Sequence, residues 1–195
     1  MTEVQLLNGL KLSYENASQL IEEADGLFIF ERYSRAYALY QLAIEEVGKA
    51  LIIFQAILDK INGIEINEEY FNQRNFKHHQ TKTKKVLRIQ ISIFEIMSEK
   101  SSSLKNILKE LREKYSNSRL LNDRKNQSLY VGIEGERFIS PQDAITKELT
   151  KEFSSFAKLC LLGIKSIVDY PFDAIEEISN RLQDKMTKDK NEFDK

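Results

Sequence analysis

The 195-residue sequence has no tryptophan, one cysteine, two prolines and seven glycines. Each scarcity excludes something. A single cysteine rules out an internal disulfide framework and a thiolate-based zinc site, and it suits a reducing, cytoplasmic setting. Few prolines and glycines mean few breaks, which favours long helices. No apolar run approaches the width of a bilayer. The longest nearly unbroken one, Ala50 to Leu58, is interrupted by Gln55 and falls well short of the ~20 residues a spanning helix needs. The N-terminus carries Glu3 and lacks the basic-then-apolar layout of a signal peptide. A net charge of -1 argues against a protein that coats nucleic acid over its whole surface. What remains is a soluble all-α domain. We expect one helical domain over residues 1–180 and a charged, frayed tail over 181–195.

The apolar positions give the layout. Leu6, Leu10, Tyr14, Ala17, Leu20, Ile21, Ala24 and Leu27 recur at three- and four-residue steps, predicting a helix over residues 4–28 that ends or bends at Asp25-Gly26. A second helix, over 31–61, carries the widest apolar stripe and closes at Asn62-Gly63. Its interior Gly48, with Ala43 and Ala50, lets another element approach closely. A loop with one short helix around Tyr70, Phe71 and Phe76 leads to a third long helix over 79–115. From Ser116 to Ile139 the helical period lapses, and Leu129-Tyr130-Val131 with Gly132 and Gly135 predicts an ordered loop or small hairpin near 124–139. Ser140-Pro141 announces a helix running to about Val168, and a last helix holds Ile175 and Ile178. The sum is a bundle of about five helices.

Charge is uneven along the chain. From Tyr70 to Phe94 lie Arg74, Lys77, Lys82, Lys84, Lys85 and Arg88, both histidines, His78 and His79, and no acid. Such a stretch is either a phosphate-binding surface or a solvated face that pairs with acidic segments. An arginine and a histidine converging on one phosphodiester suit RNA cleavage without a metal. The imidazole moves a proton, and the guanidinium neutralises charge that grows in the transition state. Arg74 lies five positions before His79. In the second helix, Glu45-Glu46-x-Gly48-Lys49 sits within the apolar stripe, so one acid or the other points inward and needs a partner. Lys49, His79, Lys82 and Lys125 are the candidates. Adjacent helical acids diverge and make a poor metal site, so neither a metal nor another cofactor is expected.

Taken together, these elements resemble a known family. Asn16-Ala17-x-x-Leu20-Ile21-x-x-Ala24-x-x-Leu27 and Arg35-Ala36-Tyr37-Ala38-Leu39, running on to Ala43-Ile44-Glu45-Glu46-Val47-Gly48-Lys49-Ala50, are similar to the opening helices of AbiV-type abortive-infection proteins of the HEPN superfamily. Phe76-x-x-His79-x-x-Lys82 looks like that family's next element, and Lys125 with Leu129-Tyr130-Val131 and Ser140-Pro141 like its later loop. The resemblance spans residues 6–162. It implies a HEPN helical bundle, a homodimer, and an antiphage effector that arrests the infected cell by blocking translation. RNA or the translation machinery would be its target and a phage protein its activator, with no role at the membrane. It implies a metal-independent endoribonuclease that uses Arg74 and His79, and we expect Glu46 to join them as a catalytic residue. Lys77, Lys82, Lys85, Lys125 and Tyr130 would contact RNA, and Glu45, Gly48 and Lys49 would complete the helical motif. The alternative is a non-catalytic protein that binds a phage protein or a translation-associated partner.

Overall fold

The computed structural model describes residues 1–73, 76–77, 82–83, 86 and 118–169. Among these the chain forms six helices and one two-stranded antiparallel hairpin. The expected third helix falls outside the described residues except at Lys82, Thr83 and Val86, which are helical. The expected last helix and the 181–195 tail also fall outside them.

Helix α1 (Glu3–Ile29) begins at Thr2, whose hydroxyl accepts from the Gln5 backbone N–H while the Gln5 side chain returns to the Thr2 N–H. This reciprocal cap satisfies two otherwise orphaned donors. The helix continues through Asp25-Gly26 to Ile29, one residue past the expected end at Phe28. Its stop is a backbone motif: Arg32 N–H donates to the Leu27 carbonyl and Glu31 N–H to that of Phe28, with Glu31 at φ +60°. A glutamate therefore occupies the left-handed position that glycine usually fills after a helix. Helix α2 (Tyr33–Ile61) ends in the same way, but with Gly63 in that position at φ +80°.

Helix α2 is the axis of the fold. It packs against α1, and both pack against helix α6 (Lys147–Val168). Leu6, Leu10, Ala17 and Ile21 from α1 meet Tyr40, Ala43, Ile44, Val47 and Ala50 from α2 and Phe153, Ala157, Cys160 and Ile164 from α6 in one core. Tyr37 stacks on Phe153 at 4.4 Å between ring centroids. The short helix α3 (Glu68–Gln73) is tied back to α2 through Tyr70, whose hydroxyl donates to Asp59 at 2.6 Å. Among the described residues no helix is long and apolar enough to cross a membrane.

Residues 118–129 depart from the expected loop: they form helix α4 (Ser118–Leu129), which lies across α2. The hairpin follows, with β1 (Gly132–Glu134) and β2 (Arg137–Ile139) paired Ile133 to Phe138 and joined through Gly135 at φ +59°. Glycine at the first central position is the signature of a two-residue turn that matches strand twist. Ser140 caps the four-residue helix α5 (Pro141–Ala144), as its sequence predicts. The helix does not continue to Val168, because Ile145 is extended and buried and Thr146 caps α6 afresh.

Tyr40 links three helices. Its hydroxyl donates to Asp25 of α1, and Asp25 also pairs with Lys158 of α6 at 2.8 Å. Burial, then the bond to Asp25, raise its pKa to about 12. The unfolded tyrosine ionises near 10, so this group's stabilisation is whole below pH 10 and is lost between pH 10 and about 12. Tyr40→Phe should accordingly flatten the alkaline fall of Tm over that interval. An unchanged slope in the variant would show that other groups carry it.

Candidate functional site

Gln41, Glu45 and Gly48 follow one another at steps of four and three, so they share a face of α2. All three are buried, in a helix whose other buried residues, apart from Ser34, are hydrophobic. Gln41 donates to the Thr83 hydroxyl at 3.2 Å. The Lys125 ammonium lies 2.7 Å from one Glu45 carboxylate oxygen, and that of Lys82 lies 3.9 Å from the other. Glu45, Lys82 and Lys125 are 2%, 3% and 7% exposed, which makes this an interior ion cluster.

Gly48 is what allows Lys82 to be there. A Cβ on Gly48 would sit 2.7 Å from both the Cβ and the carbonyl oxygen of Lys82. The backbone at residue 82 therefore rests directly on the α2 backbone, one turn from Glu45. From the other side, α4 presents Leu121, Lys125 and Ser128, again at steps of four and three and all buried. The Ser128 hydroxyl donates to the Lys125 carbonyl at 2.6 Å. The Arg35 guanidinium donates to the Leu129 carbonyl at 3.2 Å, placing a cation at the negative end of α4.

Two ammonium groups thus share one buried carboxylate. Burial, the largest influence, lowers the pKa of Lys82; Glu45 opposes it, while Lys49 and Lys125 add to the lowering. The unfolded chain therefore holds this proton more tightly than the folded one, and the penalty for keeping Lys82 charged fades as pH rises toward the ordinary lysine value.

Glu46 is the outer acid. It faces partly to solvent and pairs with Lys49 at 2.5 Å. The Lys49 ammonium stands 5.9 Å from the centre of the Phe76 ring, within range of a cation–π contact. Lys77, beside Phe76, is exposed. The structure thus brings together Glu45, Gly48, Lys82 and Lys125, with Glu46 and Lys49 as a second pair on the same helix, approached by Phe76. Tyr130 is elsewhere, 66% exposed at the base of the hairpin, and shares a cavity with Glu134 and Asp143. Arg74, His78, His79 and Lys85 lie outside the described residues.

Sequence reasoning does not single out Gln41, Thr83 or Ser128. Gln41 carries the one usable signal, a polar residue four positions before Glu45 within an apolar stripe.

A family model described as AbiV (HEPN_AbiV) matches residues 5–162. Comparison with curated proteins and with solved structures gives no match.

Proposed function

The chain belongs to the AbiV family of HEPN domains, and from that membership we propose that it is an abortive-infection effector that blocks translation by metal-independent attack on RNA. The observation that carries the proposal is the placement of Lys82. His79 precedes it by three residues, and Lys82 is fixed at both its backbone, on Gly48, and its amine, beside Glu45. Lys82 itself is thereby anchored to the centre of the bundle, which supports reading the cation-rich sequence around it as the site.

In this reading His79 moves a proton to or from the 2′-hydroxyl or the leaving oxygen, and Arg74 neutralises the charge growing on the phosphate. Glu46, the outer acid, orients a cation or the imidazole. Lys82 and Lys125 are engaged with Glu45 and buried, so they serve as anchors. The phosphate contacts fall to solvent-facing cations such as Lys77. The family likeness extends the proposal to a homodimer with RNA or the translation machinery as target and a phage product as trigger.

Wild-type protein should stop amino-acid incorporation in phage-challenged cells, and His79→Ala should restore it at least tenfold with an unchanged Tm. Arrest that persists in a folded His79→Ala protein would remove the catalytic role assigned to His79.

A further inference from the structure

No residue of the two hairpin strands is fully buried. A two-stranded hairpin is at best marginally stable by itself in water, and here one of its faces is uncovered. Ile133 and Phe138, paired across the strands on that face, are 71% and 78% exposed, and Val131 beside them is 64% exposed. Contiguous exposed apolar side chains of this kind mark contact sites more often than isolated ones do.

The opposite face has a different chemistry. Gly132, Glu134 and Ile139 there, with Gln127, Tyr130, Asp143, Ala144 and part of Ile133, line a cavity of about 400 Å³ whose only charged lining groups are the two acids; Arg137, paired across the strands with Glu134, shares that face. The faces are joined by an open edge. The two-residue connection makes Glu134 and Arg137 the hydrogen-bonded pair, so the N–H and C=O of Ile133 point outward from β1. Among the described residues nothing bonds to them. Nor does β1 carry the lysine or proline that commonly blunts an exposed edge.

We propose that the outer edge of β1 docks an extended segment of a partner protein in which apolar and basic residues alternate. Side chains of an added strand point alternately to the two faces. Its apolar residues would cover Ile133 and Phe138, and its lysine or arginine side chains would enter the cavity against Tyr130, Glu134 and Asp143. Main-chain bonds to Ile133 supply pairing, and the two faces supply selectivity, as in other strand additions. A polyanion such as RNA is disfavoured, since the charged groups lining the cavity are carboxylates. This inference does not depend on the ribonuclease reading; it concerns a different surface and survives if that reading fails.

The test titrates the full-length, isotope-labelled protein with a capped hexapeptide alternating valine and lysine. Its control is the same peptide with glutamate in place of lysine. The expected result is saturable shifts at residues 130–139 and at least tenfold slower exchange of the Ile133 amide. The glutamate peptide should bind at least tenfold more weakly, and Glu134→Lys should reverse that preference at unchanged Tm. Three outcomes overturn the proposal: no saturable shift at millimolar peptide, equal binding of the two peptides, or shifts confined to residues outside the hairpin. Protection of Ile133 that follows protein concentration alone would assign the edge to a second copy, and protection by an oligouridylate would assign it to RNA. Either result also overturns the proposal.

Discussion

Glu45→Gln should be the most damaging single substitution in the described part of the chain. It removes the carboxylate from between Lys82 and Lys125 and leaves two buried ammonium groups facing an amide. Stripping one partner from a buried ion pair costs about 3–5 kcal/mol, mainly through the charge left uncompensated. For a protein of this size each kcal/mol moves Tm by roughly 2–4 °C, so the loss should be on the order of 10 °C. Lys125→Met should cost less, because Glu45 keeps Lys82 as a partner. A triple exchange of Glu45, Lys82 and Lys125 for apolar residues of similar size should recover much of the loss, since well-packed hydrophobic replacements of buried ion pairs are often neutral or better. Thermal unfolding of the three variants checks the ordering. A Glu45→Gln protein as stable as wild type would mean that the cluster is open to water.

Gly48→Ala should destabilise although alanine is the better helix former. The propensity gain is about 1 kcal/mol. Against it, the new methyl group would stand 2.7 Å from the carbonyl oxygen of Lys82. Overpacking of this kind costs about 1–3 kcal/mol when atoms can adjust, and a main-chain carbonyl cannot swing aside as the end of a long side chain can. A net loss of up to about 2 kcal/mol is expected, and the larger Gly48→Val should lose more. Gly26→Ala is the control. That glycine is also helical, but a Cβ there meets nothing within 4 Å, so its variant should gain up to ~1 kcal/mol. Opposite signs in chemical denaturation at the two glycines would establish close approach as the cause, and equal signs would refute it.

The parts of the fold legible in the sequence are those where burial follows hydrophobicity. Helices α1, α2 and α6 announce themselves through apolar residues at three- and four-residue steps, and Ser140-Pro141 and Asn62-Gly63 mark a start and a stop. Helix α4 is hidden for a physical reason. Its inner face is Leu121, Lys125 and Ser128, and two of those three are polar, so no apolar period exists to be read. The lysine is buried because Glu45, distant in sequence, accepts it. The end of α1 is hidden in a related way, since Glu31 holds a conformation that glycine would advertise.

For the candidate site, the need of one inward acid for a basic partner follows from burial alone, and Lys82 and Lys125 are among its natural candidates. Which acid turns inward does not follow, because Glu45 and Glu46 differ by only 100° around the helix. The packing of Lys82 on Gly48 decides it.

The most direct test of the central claim uses purified protein and cellular RNA, with phage extract as the source of trigger. Wild-type and His79→Ala proteins are compared with and without a chelator. RNA cleavage that persists in chelator and falls at least a hundredfold in a folded His79→Ala variant is the predicted result, in line with the ~10²–10⁴-fold contribution of a positioned acid–base group. Cleavage that is absent, that needs a metal, or that is undiminished in His79→Ala would contradict it.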